Sequence, residues 1–140
     1  MRDRIFIDTS AFYALADRDD LNHKKAENIY RALLHKNALF VLTDHIISET
    51  ATLIRRRLGY IQSLEFLRLI EEGQGVELFE LVIVGKEHIN KAKRIFTERK
   101  DIKLSFVDAL SFAIMKDENI KKFFAFDLHF QAEGFNWVEI

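Results

Sequence analysis

Apolar residues in this chain fall into two kinds of run, short unbroken blocks and longer stretches in which they recur every three or four positions. The first block, Ile5-Phe6-Ile7, is too short for a helix and suits a strand packed on both faces, as strands of parallel sheets are. It stops at Asp8-Thr9-Ser10. Ala11 to Ala16 then reads as a short apolar helix that ends in the loop Asp17-Arg18-Asp19-Asp20. Asn22 is placed to cap a helix running to about His35, with Ala26, Ile29, Tyr30 and Leu33 on one face. Leu39 to Leu42 is the second block. Thr43 or Asp44 starts a helix on which Ile46, Ile47, Thr50, Leu53, Ile54 and Leu58 share a face, and Gly59 ends it.

Tyr60 to Glu72 predicts a further helix, closed by Gly73 and Gly75, whose apolar surface is wide enough to serve a partner as well as a core. Its apolar residues are Ile61, Leu64, Phe66, Leu67, Leu69 and Ile70. Val76 to Val84 reads as the third strand with its onward connection. Lys86 to Arg99 is a helix that packs Ile89, Ala92, Ile95 and Phe96 and presents Lys91, Lys93, Arg94 and Arg99. Those cations form the best local basic patch, although an ordinary solvated face has the same appearance. Ser105-x-x-Asp108 is a capping box before a helix, through Met115, that is apolar nearly all round. Phe123 to Asp127 repeats the opening design, and Trp137 to Ile140 forms an edge strand. Strands separated by helices throughout predict an α/β fold, a parallel sheet with right-handed crossovers, in one compact domain over residues 1–140.

Composition narrows the chemistry. With 140 residues, 49% of them hydrophobic and thirteen Phe, the chain fills one core. Lys and Arg number 21 against 22 Asp and Glu, so no global positive field recruits a polyanion, which must be met by a local patch or through a cation. The absence of cysteine removes disulfides, thiolate metal sites and a cysteine nucleophile together. A metal must be held by oxygen or imidazole. No apolar run approaches the roughly 18 residues of a membrane span, and the expected location is the cytoplasm.

Four acids stand out against this background. Asp8 and Asp127 end apolar strands, Glu49 lies at the border of an apolar helix face, and Asp108 sits in the first turn of a buried helix. Asp8 and Asp108 also have plain structural readings, as helix caps. In a parallel sheet, however, the carboxyl ends of the strands share one rim, where ligands bind. Four carboxylates gathered there repel one another unless protons or cations are taken up. Magnesium or manganese is the expected occupant, and phosphodiester hydrolysis is chemistry that such ions support. His45 and His129 are near enough in sequence to approach the same place, which leaves open a metal-free ribonuclease using two imidazoles. Arg55-Arg56-Arg57 reads as a solvated helix end, with phosphate contact as the alternative.

Ile7-Asp8-Thr9-Ser10-Ala11, Ser48-Glu49, Ser105-Phe106-Val107-Asp108-Ala109 and Phe126-Asp127-Leu128-His129-Phe130 resemble the acidic motifs of PIN-domain nucleases, in order and spacing, across nearly the whole chain. The likeness is greatest to the VapC-type toxins of prokaryotic toxin–antitoxin pairs. That resemblance implies a sheet of order 3-2-1-4-5 and a magnesium- or manganese-dependent endoribonuclease acting on structured RNA. It implies Asp8, Glu49, Asp108 and Asp127 as catalytic and metal-binding residues, with Ser10 and Ser105 in support. A homodimer and an antitoxin partner are implied as well. The alternatives are a PIN-like RNA-processing nuclease outside any such pair, and a PIN scaffold that binds RNA without cutting it. A response-regulator receiver also gathers acids at strand ends, but the late strand Phe123 to Asp127 lacks the lysine and hydroxyl residues it requires.

Overall fold

The computed structural model describes residues 2–138. Its centre is strand β1 (Arg4–Ile7), whose Ile5, Phe6 and Ile7 are all buried although successive side chains point to opposite faces, so the sheet is covered on both sides. β1 pairs in parallel with β2 (Leu39–Thr43) on one flank and with β4 (Lys122–Phe124) on the other. β3 (Phe79–Val82) and β5 (Asn136–Trp137) form the edges, giving the order β3-β2-β1-β4-β5. Among the described residues seven helices connect and cover the strands: α1 (Thr9–Ala16), α2 (His23–His35), α3 (Asp44–Leu58), α4 (Tyr60–Gly75), α5 (Lys86–Glu98), α6 (Phe106–Asp117) and α7 (His129–Ala132). The α/β class, the parallel sheet and its order agree with expectation. None of the helices among the described residues is long and apolar enough to cross a membrane.

Helix boundaries follow local chemistry. Thr43 caps α3 through its side chain, which accepts from the Ile46 N–H at 3.1 Å, and Gly59, at φ 106°, ends it. Asn22 stands at the N-cap of α2 as expected, but its side chain makes no capping bond there. The run Asp108 to Met115 on α6 is buried throughout, as an all-round apolar helix requires. Its Phe112 meets Phe130 of α7 edge-on, with ring centroids 4.9 Å apart, and Phe130 also stacks on Phe123 of β4 at 5.0 Å. Glu133, just after α7, is nearly buried and paired with Arg99 and Lys116. The aromatic cluster and this ion pair fasten the last third of the chain to α5 and α6.

Three segments differ from the sequence reading. α4 runs through Gly73 to Gly75, so Val76 lies outside the sheet and the third strand begins only at Phe79. The reason is contact: a Cβ on Gly73 would lie 2.1 Å from Cδ2 of Phe79, so this glycine lets the helix pass over the strand rather than stopping it. β4 ends at Phe124, and the chain turns before reaching Asp127 and the short α7. The final strand is Asn136–Trp137, with Glu139 and Ile140 outside the described residues. Of the four cations of the basic patch, Lys91 on α5 pairs with Asp117, and Arg99, just past its end, pairs with Asp101 and Glu133.

The two glycines of α4 separate close approach from simple flexibility. Gly73→Ala is expected to lower stability by about 1–3 kcal/mol through overpacking against Phe79. At Gly75, where an added Cβ meets nothing within 4 Å, alanine should be neutral or stabilising by up to about 1 kcal/mol. Denaturant unfolding of both variants checks this; equal effects would show that the Phe79 contact does not matter.

Candidate active site

The end of β1 determines where the first acid goes. Asp8 donates its backbone N–H to the Phe124 carbonyl at 3.1 Å, the last sheet bond of the strand, and then becomes the N-cap of α1. Its Oδ2 accepts from both the N–H and the hydroxyl of Ser10, at 3.2 and 3.0 Å. The Ser10 hydroxyl in turn accepts from the Phe126 N–H at 2.8 Å, tying the start of α1 to the loop that carries Asp127. Asp8 is only 4% exposed, and its second oxygen, Oδ1, has no hydrogen-bond partner among the described residues. The capping reading is therefore correct for one oxygen and leaves the other to be explained.

Asp108 repeats the pattern on α6. The Ser105 hydroxyl accepts from the Asp108 N–H at 3.0 Å, while the Ser105 N–H donates to Asp108 Oδ2 at 3.4 Å, completing the capping box read from the sequence. Asp108 is 8% exposed. Asp127 lies in the loop after β4, where its Oδ1 accepts from the His129 N–H at 2.9 Å. His129 Nδ1 sits 3.2 Å from Asp127 Oδ1 and 3.5 Å from Asp108 Oδ2, so these three residues form one cluster.

Glu49 is half-buried on α3 and lines an open groove of about 440 Å³ with Asp44, His45, Ser48 and Val107, the last only one residue from Asp108. His45 Nδ1 approaches Asp44 at 3.3 Å. Thr50 appears in the sequence as one more residue of an apolar face. Its hydroxyl is instead fully buried and donates to that of Thr9 at 2.9 Å, linking α3 to the residue beside Asp8. Only its place next to Glu49 and the hydroxyl-rich Asp8-Thr9-Ser10 turn hinted at such a link.

Electrostatics connects the four acids. Burial, then the nearby Asp108, pushes the Asp8 carboxyl up to about 7, with Glu49 adding to the rise and the Ser10 bonds opposing it. Burial, then Asp127, holds Asp108 above the usual carboxylate range, against Ser105 and His129. Asp8 thus feels Glu49 and Asp108, and Asp108 feels Asp127. The four sequence-identified acids are linked in a chain, Glu49 to Asp8, Asp8 to Asp108 and Asp108 to Asp127, and among them Asp108 and Asp127 form the tight cluster with His129. Such a site takes up protons, or positive charge in another form.

The PIN-domain family model matches residues 5–135. The chain belongs to the PIN-domain family. Among curated relatives, this PIN domain is 32% identical over 136 residues to a protein named 23S rRNA-specific endonuclease VapC20, from Mycobacterium tuberculosis strains CDC 1551 / Oshkosh and ATCC 25618 / H37Rv. The match covers 94% of this chain and 95% of the relative. It also superposes on the crystal structure of Mycobacterium tuberculosis VapC20, described as a Sarcin-Ricin loop cleaving toxin, with a TM-score of 0.86 and 29% identity. That superposition covers 97% of this chain and 99% of the other. The PIN domain described here is therefore a homologue of a VapC-type endonuclease.

The raised Asp8 value has a thermodynamic consequence. A carboxyl that titrates near 3.8 when unfolded and about 7 when folded binds more protons in the folded state between those limits. Without added metal, stability should fall as pH rises from about 4 to about 7, and Asp108 contributes with the same sign. Asp8→Asn should flatten much of that slope and leave the fold at least as stable at pH 7. Chemical unfolding of parent and variant across this range, in chelator, checks it; parallel profiles would exclude Asp8 as the source.

Proposed function

We propose that this PIN domain is a VapC-type endoribonuclease, the toxin of a toxin–antitoxin pair, which hydrolyses phosphodiester bonds in structured RNA with magnesium or manganese. What supports the reading is the electrostatic linkage of Glu49 to Asp8, Asp8 to Asp108 and Asp108 to Asp127, with a buried Asp8 oxygen that has no hydrogen-bond partner among the described residues. We assign these four as the catalytic, metal-holding residues.

The residues fit a divalent cation. Asp8 Oδ1 is an orphaned buried acceptor, Asp108, Asp127 and His129 offer donor atoms within 4.8 Å of one another, and no thiolate is present to favour a softer ion. When bound, a divalent cation neutralises charge on the phosphate and makes water a competent nucleophile at neutral pH. The protein's own groups do the positioning. Ser10 holds Asp8 Oδ2 and so orients Oδ1, while Ser105 fixes Asp108 through the capping box. Glu49 borders the open groove, where it can meet the solvent-exposed scissile phosphate. An open groove admits a polymer that a closed cavity would exclude. The relative's named substrate, 23S rRNA, makes a large-subunit ribosomal RNA stem-loop the first candidate target, and the cytoplasm the place of action.

For partners we propose a second copy of the chain and a cognate antitoxin. On α4, Phe66 and Ile70 enter the core, whereas Tyr60, Ile61, Leu67 and Leu69 remain exposed. Beside them a groove of about 180 Å³ is lined by Phe12, Leu15, Phe66 and Leu69. The wide apolar face read from the sequence thus divides into a core side and an unpartnered side.

Purified protein should cleave ribosomal RNA only with magnesium or manganese, leaving 5′-phosphate and 3′-hydroxyl ends. Asp8→Asn or Asp127→Asn should reduce the rate about 100-fold or more. Cleavage that survives chelator, or 2′,3′-cyclic phosphate ends, would refute the mechanism.

Leu69→Asp and Ile61→Asp, on the exposed side of α4, should leave the melting temperature within a few degrees and weaken self-association or antitoxin binding. Light scattering and antitoxin titration measure this; unchanged mass and affinity in both variants would remove α4 from the contact.

A further inference from the structure

We infer that His129 is a direct nitrogen ligand of the divalent cation, so that the Asp108–Asp127 side of the site is a mixed carboxylate–imidazole centre that prefers manganese to magnesium. The inference rests on the metal-dependent reading above and specifies its ligand set.

His129 Nδ1 is shielded from solvent and makes no hydrogen bond of good geometry, despite two carboxylate oxygens at 3.2 and 3.5 Å. If the ring proton is on Nδ1, it is directed at neither oxygen. If it is on Nε2, the Nδ1 lone pair points along that same axis into the space flanked by the two acceptor oxygens, an arrangement that repels until a cation lies there. The separations suit that role. Neighbouring ligands on an octahedral ion with bonds of about 2.1 Å stand about 3.0 Å apart, a few tenths less than the two distances here. The three donor atoms all lie within 4.8 Å of one another.

Two features show that the ring is held there. The His129 N–H donates to Asp127 Oδ1 at 2.9 Å, so one turn sets both side chains, and the next residue, Phe130, is fully buried between Phe112 and Phe123. An independent sign that the place is built for positive charge is Asp8, 4% exposed, whose Oδ1 has no partner beside Asp108. His45, the other candidate imidazole, approaches Asp44 instead. The chemical consequence is selectivity: magnesium holds to oxygen and water, whereas manganese and later transition ions accept imidazole readily.

Pulsed electron paramagnetic resonance of the manganese-loaded protein reads the bond directly. The parent should show a directly coordinated ¹⁴N that becomes ¹⁵N on histidine labelling and is lost in His129→Ala. By calorimetry the same variant should bind manganese about tenfold or more weakly, with a much smaller change for magnesium. Manganese bound without nitrogen coupling in the parent would overturn the inference while leaving the metal-dependent nuclease intact. Coupling that persists in His129→Ala, or equal weakening of both ions, would overturn it too. A parent that binds no manganese would instead remove the metal-dependent reading itself.

Discussion

The constraint on which this structure depends is the burial of a carboxylate at the end of its central strand. Ile5, Phe6 and Ile7 must be inside because both faces of β1 are covered, and the next residue therefore emerges within the protein rather than in water. An isolated ionised carboxylate in such a place is so costly that it ordinarily takes a proton instead. The elevated Asp8 value is that tendency expressed. Around it, Ser10 satisfies one oxygen, the Thr9–Thr50 bond draws in α3 with Glu49, and the Ser10–Phe126 bond draws in the loop with Asp127.

Holding several acids together against repulsion requires stability from elsewhere. Here it comes from an aromatic core of unusual density, in which Phe6, Phe112, Phe123 and Phe130 are fully buried and meet in pairs. Such pairs are worth about 0.5–1.5 kcal/mol each beyond the area they bury. The same cluster sits directly behind α6 and α7, the elements that carry Asp108 and His129. Aromatic packing is thus dense beside the closest like charges, where its contribution offsets part of their repulsion.

Much of this was legible in the sequence because the same residues satisfy local and site-level rules together. Asp8 and Asp108 are ordinary caps by position, and their hydrogen bonds bear that out; the apolar helix marks Asp108 as buried, whereas Asp8 is marked only by its place at a strand end, and its own burial is a finding of the structure. What escaped depends on contacts between distant segments. Gly73 looks like a helix stop until Phe79, six residues on, is seen lying against it. The strand before Asp127 looks continuous because Ala125 and Phe126 are apolar, yet pairing with β1 ends at Phe124, where the Asp8 N–H takes the last carbonyl. Thr50 counts as an apolar-face residue in any periodicity argument, and only the position of Thr9 turns it into a hydrogen-bond partner.

The early end of β4 bears on the chemistry proposed. Had the strand continued through Asp127, that residue would occupy a rigid, paired backbone whose direction the sheet dictates. Instead the turn after Phe124 frees it to accept from the His129 N–H and brings an imidazole nitrogen to the same place. A chain with almost no net charge cannot draw in RNA by a general field. In the function proposed, a phosphate is met by a local patch or through a cation held at the rim, and the donors offered for that cation, carboxylates with one imidazole, would decide which ion it is.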